Sequence, residues 1–372
     1  SYNIAWDEAW TMDDSVAPLF PVPACAVFGR KLAIGKPTPD KVRAYSGTLP
    51  MRDAPEELAD QFLTVRENAP APSTAQRTGG SGYRDSFRQG AILVPRAFEL
   101  VERKTSGRLG VNAAAPLVIS RRSNQEKKPW KEIEGIEGNV ETDYLRPVLL
   151  GESILPYRLL QSFEGVIPVT PKGEMLSATG AANIGHHYLA DWMQKAETLW
   201  NQHGKGKRTF VEQLNYINQL SSQFPIAPLR VVYAKAGTQP AACLIRDGRA
   251  VIDHKLYWMK PASEDEAYYL LAILNSETTR ALAEQYQSRG QFGARDFDKV
   301  IWNLPIPTFD PRDQLHRDLA AAGRRAEAVA ADVTLVETEK FQRARRRVRD
   351  GLIEAGVAAQ IETLVENLLR GR

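Results

Sequence analysis

Between residues 229 and 260 the chain carries three short apolar runs punctuated by turn residues, and this pattern restricts the fold more than any other stretch. The runs are Arg230-Val-Val-Tyr-Ala234, Ala241-Ala-Cys-Leu-Ile245 and Ala250-Val-Ile-Asp-His-Lys-Leu-Tyr-Trp258, separated by Gly237 and by Asp247-Gly248. Short runs rich in β-branched and aromatic residues read as strands, and Asp-Gly reads as a tight hairpin turn. In the third run Ile252, His254, Leu256 and Trp258 would share one face, with Asp253, Lys255 and Tyr257 on the other. His254 has the residue type of a catalytic base, but on an apolar face it reads as a hydrogen-bonded core histidine. Ser263-Glu-Asp-Glu266 then supplies a helix N-cap with an acidic first turn. Strands closed by turns and followed by helices predict an α+β fold with a mixed, largely antiparallel sheet.

The rest of the chain falls into segments around this region. Ala24 to Phe28 is a short apolar run bounded by Pro and Gly, which suits a strand buried on both faces, and Tyr45-Ser-Gly-Thr-Leu49 is a second candidate. Asn68 to Gly82 is rich in Pro, Ala, Ser and Gly and reads as a linker. The expected organisation is therefore residues 1–67, a linker 68–82, a domain 83–311 and C-terminal helices 312–372. Ala91 to Arg96, Phe98 to Val101 and Pro116 to Ser120 read as strands. Residues 141–223 read as mainly helical, with 3-4 spacing through Leu189, Trp192, Met193, Ala196, Leu199 and Trp200. Thr209 and Glu212 form a capping box before another helix. His186 and His187 are adjacent, so on a helix they point about 100° apart and do not share one metal ion easily.

From Leu315 to Val336 the spacing of Leu319, Ala322, Ala326, Val329 and Val333 makes a heptad seam. Such a seam packs on its own domain or on a coiled-coil partner through residues 315–336. Arg343, Arg345, Arg346, Arg347 and Arg349 follow as a basic run that contacts phosphates or is solvated. Leu352 to Leu369 supplies a second amphipathic helix, giving a helical hairpin.

Candidate binding residues concentrate in two places. Between Gln287 and Pro311, Gly290 and Gly293 bracket a short loop among the long donors Arg289, Gln291, Arg295 and Lys299. Val300 to Trp302 reads as a short buried strand, ended by Pro305 and Pro307. Arg and Gln present donor forks that match base edges, while Arg and Lys neutralise phosphates. The second set is Arg84, Arg88, Gln89, Arg96, Arg121, Arg122, Lys127 and Lys128, with Trp130 nearby. Basic residues with an aromatic suit phosphate contacts plus a stacking side chain.

Composition limits the alternatives. A net charge of +3 over 372 residues excludes a uniformly basic nucleic-acid protein, so any such surface has to come from local clusters. Two distant cysteines, Cys25 and Cys243, argue against disulfides and a zinc site and for a reducing compartment. With no apolar run of membrane-spanning length and no signal-peptide pattern, we expect a soluble cytoplasmic protein. The opening on Ser1, without Met, leads us to expect a piece of a longer chain. The sequence contains no Asn-Pro-Pro or Asp-Pro-Pro, no G-x-G-x-x-G, no P-loop, no His-Glu-x-x-His and no G-x-S-x-G. Glu126-Lys127-Lys128 has the Glu-x-Lys form used by metal-dependent nucleases, without an evident acidic partner.

The stretch from Leu274 to Ala320 resembles the end of a target-recognition domain from an N6-adenine DNA methyltransferase of the restriction–modification or phage-defence kind. It is similar, more loosely, to type I restriction specificity subunits. The resemblance rests on the loop Ser288 to Gly293, Val300 to Trp302, Ile306-Pro307 and Gln314, and it continues through Tyr83 to Arg96. Phe20 to Lys31 resembles a closing strand of a Rossmann-like methyltransferase domain. The resemblance implies double-stranded DNA lying between a catalytic domain and residues 83–310. Lys and Arg would hold phosphates, and the Arg289–Lys299 loop would present donors to the major groove. That catalytic domain would bind S-adenosylmethionine and flip the adenine; the methyltransferase motifs it needs are missing here, so we expect recognition rather than methyl transfer from these residues. The alternatives are a protein-interaction subunit of a defence complex, a metal-dependent nuclease fragment, or a full methyltransferase if the gene extends upstream.

Overall fold

The computed structural model of the chain describes residues 4–370, apart from 14, 17–23, 32–38, 72–79, 105–111, 124–125, 205, 238, 285, 288, 291–292, 295–296 and 338; of residues 4, 289, 290, 293 and 294 it describes the backbone alone. Two compact units result. The first holds Ser1–Gly80 with Tyr286–Asp296, the second Ser81–Gln285 with Phe297–Arg372.

The first unit contains a four-stranded sheet of β1 (Ile4–Met12), β2 (Ala24–Lys31), β3 (Lys41–Ser46) and β4 (Thr64–Pro70), in the order β2-β1-β3-β4, with helix α1 (Glu56–Phe62) before β4. β1 and β3 run parallel, and the other pairs are antiparallel. Its buried cluster is small, made of Ala9, Val42 and Ala69. On the sheet, Trp10 lies 4.9 Å from the Phe28 ring and 5.5 Å from Tyr45. The run Ala24–Phe28 does form a strand, but not a buried one. Among the described residues β2 is an edge strand paired to β1, and Val27 and Phe28 remain 55% and 43% exposed. An apolar run specifies a strand without saying which side of it is covered. β3 stops at Gly47, whose φ of +119 is open to glycine; a Cβ there would meet Phe62 O at 2.3 Å.

The second unit begins with β5 (Arg88–Gln89), helix α2 (Arg96–Glu99), β6 (Leu100–Arg103), β7 (Leu117–Ser120) and β8 (Glu137–Asn139). Next come β9 (Leu145–Leu149), β10 (Ile154–Leu155), β11 (Arg158–Leu159) and β12 (Phe163–Val166), then α3 (Ala178–Asn183), α4 (His187–His203) and α5 (Phe210–Leu214). β13 (Arg230–Ala234), β14 (Ala242–Ile245), β15 (Val251–Ile252) and β16 (Leu256–Met259) precede α6 (Glu264–Asn275) and α7 (Glu277–Glu284). Helices α8 (Gln314–Asp332), α9 (Phe341–Glu354) and α10 (Val357–Arg370) end the chain. One sheet has the order β15-β9-β12-β6-β7-β8, the other β14-β13-β16-β5. The architecture is α+β; among the described residues of this unit the strand pairs are antiparallel except for β9 with β15 and an isolated parallel bridge between Ala91 and Asp253.

Several sequence expectations change here. The region 141–223 is not mainly helical from its start, because β9 to β12 occupy residues 145–166. β9 lies between β12 and β15, and its Leu145, Val148 and Leu149 are buried, so no alternation betrays it. Asp247-Gly248 does not close a hairpin. β14 pairs with β13, while β15 crosses to the other sheet and pairs with β9. Arg230 secures that crossing by donating to Asp247 O at 3.0 Å and Ala250 O at 2.8 Å. Arg249 adds a bond to Leu145 O at 2.8 Å. The third run is broken by a turn at residues 253–255, so Asp253 and Tyr257 are buried alongside Leu256 and Trp258.

Val300 to Trp302 is a 3-10 turn, Val300–Asn303, rather than a strand. β13 has both edges filled by β14 and β16, leaving no place beside it for another strand. The heptad seam packs inside the chain. Leu319, Ala322 and Ala326 of α8 are buried, and α8 packs against α6. The helix ends at Asp332, and Val336 beyond it is exposed. Of the basic run, Arg345 and Arg349 turn inward. Arg345 donates to Gly151 O at 2.7 Å and Ile154 O at 3.0 Å, and Arg349 to Pro240 O. Burial lowers the Arg345 pKa to about 10. Among the described residues, no helix is long and apolar enough to cross a membrane.

Candidate nucleic-acid interface

The edge of the four-stranded sheet in the second unit gathers five of the sequence-predicted residues. Gly90 makes this possible. Its N–H bonds Leu256 O at 3.0 Å, Ala91 N–H bonds Ile252 O at 2.8 Å, and His254 N–H returns to Ala91 O at 2.8 Å. A Cβ on Gly90 would sit 2.4 Å from both Ile252 O and Asp253 O, so only glycine lets the two chains approach this closely. The approach sets Arg88 opposite Trp258 and Gln89 opposite Tyr257 in the edge pairing of β5 with β16. Arg88 is exposed; Gln89 is half-buried and donates to His254 O at 2.8 Å.

Asp253 organises the neighbouring turn. Its carboxylate is fully buried and accepts Lys255 N–H at 3.0 Å. Arg96 Nη2 stands 3.5 Å from Oδ1, and His254 Nδ1 lies 3.1 Å from Oδ2. One buried anion thus fixes two half-buried cationic or titratable side chains at the surface, with exposed Lys255 beside them. His254 therefore belongs to a hydrogen-bonded turn at the margin, not to an apolar strand face.

A second turn completes the surface. Lys299 Nζ donates to Arg84 O at 3.0 Å, and Arg84 Nη1 to Asn303 Oδ1 at 2.6 Å. Beneath them lies an aromatic bed: Phe87 stacks on Trp302 with centroids 4.6 Å apart, and Trp302 Nε1 donates to the Tyr233 hydroxyl at 3.0 Å. Tyr233 donates to Asp298 O at 2.6 Å, and Tyr257 to the Asp298 carboxylate. Burial pushes the Tyr233 pKa well up, so the hydroxyl stays protonated as a donor. Lys235 Nζ stands 3.4 Å from Asp298 Oδ2. Arg84, Arg88, Gln89, Arg96 and Lys299 are thereby joined by His254, Lys235 and Lys255, three residues that the sequence did not mark as binding. The Gln-Gly-Ala step at residues 89–91, a glycine inside a strand pattern, was the available signal for them, since it indicates close backbone approach.

Arg121, Arg122, Lys127 and Lys128 lie elsewhere in the unit and are largely engaged. Arg122 donates to Ile133 O, Trp130 O and Lys131 O at 2.8–3.2 Å and pairs with Glu126 at 2.8 Å. It is the clamp of its own loop. Lys128 pairs with Glu132 at 2.5 Å, and Arg121 sits over the Phe163 ring at 4.3 Å while meeting Glu102 at 3.3 Å. Lys127 is exposed. Trp130 stacks on Trp200, centroids 5.5 Å apart, so it is a packing residue.

The glycine-bracketed loop belongs to the first unit as a two-stranded hairpin, Arg289–Gly290 against Gly293–Ala294, with Gly290 opposite Gly293. Gln291 and Arg295 lie outside the described residues, as do the side-chain positions of Arg289. No group of three or more His, Cys, Asp or Glu side chains able to hold a metal occurs among the described residues.

No protein-family model matches the chain, and no curated protein matches it. Among solved structures it is similar to the type IIL restriction-modification enzyme MmeI in complex with DNA, at 10% identity and a TM-score of 0.46, over 100% of this chain and 44% of that one. It is also similar to the type IIG restriction endonuclease BpuSI, at 12% identity and a TM-score of 0.34, over 99% of this chain and 44% of that one. The chain spans less than half the length of either neighbour.

Proposed function

We propose that this chain is a duplex-DNA recognition module that works with an adenine-N6 DNA methyltransferase domain of a restriction–modification or defence enzyme. The observation that carries the proposal is a set of cations held on two neighbouring supports: Arg84, Lys235 and Lys299 around Asn303, Asp298 and the Trp302 cluster, and Arg96 and Lys255 around Asp253, with exposed Arg88 on β5. Cations on a rigid support suit a stiff polyanion. The sequence resemblance from Leu274 to Ala320 supports the same reading. In it, Arg88, Lys255 and Lys299 contact phosphates; the resemblance alone nominates Gln291 and Arg295 as readers of base edges. The β1–β4 sheet is read as the closing strands of a methyltransferase sheet, and S-adenosylmethionine belongs to the catalytic part of that domain.

The test is binding to mixed-sequence and cognate duplexes, the latter obtained by selection from a random pool. Arg88→Ala and Lys255→Ala should weaken both equally. Arg295→Ala should weaken the cognate duplex more than the mixed one. Wild-type protein that retains no duplex at low salt rejects the reading.

A further inference from the structure

We propose that Ile217 is a wedge that enters the base stack of duplex DNA, a step that rests on the DNA-binding reading above. Among the large apolar side chains of the described residues, Ile217 has the greatest exposure. Its φ of 46° and ψ of 35° are left-handed values that β-branched residues rarely adopt, and Asn218 follows at φ 60°. The strained backbone does not bury the side chain; Ile217 is 70% exposed. Strain of this kind persists only where its surroundings fix it, and here both flanks are pinned. On one side, Thr209 and Glu212 close a capping box at the start of α5, and Asn215 N–H bonds Val211 O at 3.0 Å. On the other, Ser221 N–H bonds Asn215 Oδ1 at 3.0 Å, and Leu220 is fully buried.

Two further observations point the tip at nucleic acid. First, from 201 to 223 the sequence carries Lys205, Lys207 and Arg208 against one carboxylate, Glu212, together with seven Asn and Gln residues. The Glu212 carboxylate is already bonded to Thr209, and the Arg208 guanidinium lies 4.4 Å over the Tyr216 ring. In the sequence, an exposed apolar residue within a segment of cations and amides has the composition of a wedge flanked by phosphate and base-edge contacts. Second, the loop is tied to the proposed interface. Buried Gln223 donates to Ile252 O at 2.9 Å and accepts Ile252 N–H at 2.8 Å. That peptide directly precedes Asp253, which fixes Arg96 and His254. The wedge and the cation cluster thus hang on one strand end.

Inserting a wedge unstacks a base step and unwinds the duplex, so the experiment reads unwinding. Relaxed closed-circular plasmid is incubated with protein, treated with topoisomerase I, deproteinised and run for topoisomers, with plasmid binding measured in parallel. The wild type should leave a topoisomer shift that grows with bound protein. Ile217→Gly, which also removes the left-handed strain, should fold and, compared at equal amounts of bound protein, lose the shift. Ile217→Phe should retain it. An equal shift from the wild type and Ile217→Gly, or binding without any shift, overturns the wedge and leaves the DNA reading standing. No binding by the wild type overturns both. A change of oligomeric state in Ile217→Gly without change in topoisomers overturns it in favour of a protein contact.

Discussion

Single residues in this chain resolve conflicts that composition hides. Glu99 is a carboxyl buried in the core next to β12, with Oε1 lacking a hydrogen-bond partner. Burial holds its pKa well above the usual carboxyl range. The unfolded chain releases this proton near its ordinary pKa, while the folded chain keeps it to higher pH. Its contribution is therefore complete in acid and lost as pH rises between the two pKa values. Glu99→Gln should melt at a higher temperature than wild type at pH 8 and at a similar one near pH 4; equal differences at both pH values would show that ionisation is not the cause. Gly90 poses the opposite constraint, since no side chain fits between its Cα and the 252–253 carbonyls. Gly90→Ala should destabilise by about 1–3 kcal/mol, measured by urea unfolding, because the backbone has to part. The sequence showed the glycine but not its partner strand, which lies about 160 residues further on and is visible only in the fold.

At the scale of elements, α6 and α8 pack on each other where the seam residues suggested packing within the domain. Gly323 marks the crossing, as a Cβ there would meet Tyr268 O at 2.3 Å. Gly323→Ala should cost about 1–3 kcal/mol by separating the helices, even though alanine favours a helix in isolation. A neutral or stabilising outcome in thermal melts would mean the two helices slide freely. Arg345 does the equivalent for α9, closing the carbonyls of Gly151 and Ile154. Arg345→Met should destabilise by about 1–3 kcal/mol through those stranded acceptors, with no change in DNA affinity. The arginine run read as phosphate-contacting or solvated because sequence shows charge and not direction; α9 turns Arg345 and Arg349 inward and leaves Arg343 and Arg346 exposed. Strands were legible where turn residues bounded them, as in β13 and β14. β9 was not legible, because burial on both faces erases the alternation that identifies a strand.

Across the chain, a net charge of +3 coexists with a local group of cations in which Arg88 and Lys255 are exposed while Arg96 and Lys235 pair with Asp253 and Asp298. The arginines outside it are largely held by carboxylates or carbonyls, as in Arg122 with Glu126, Arg246 with Glu327 and Arg324 with Asp265. At the interface one buried carboxylate, Asp253, holds Arg96 and His254, and Arg88 and Lys255 stand exposed beside them. Under the proposed function this surface would bind DNA by releasing counterions, so the logarithm of affinity would fall linearly with the logarithm of salt, by about 0.9 for each phosphate contact. The direct test is that slope, measured by anisotropy on a mixed-sequence duplex for the wild type and for Arg88→Ala. A cationic surface that contacts phosphates through Arg88 gives a negative slope for the wild type that becomes shallower by about 0.9 in the variant. A slope near zero, or one that Arg88→Ala leaves unchanged, would contradict that reading.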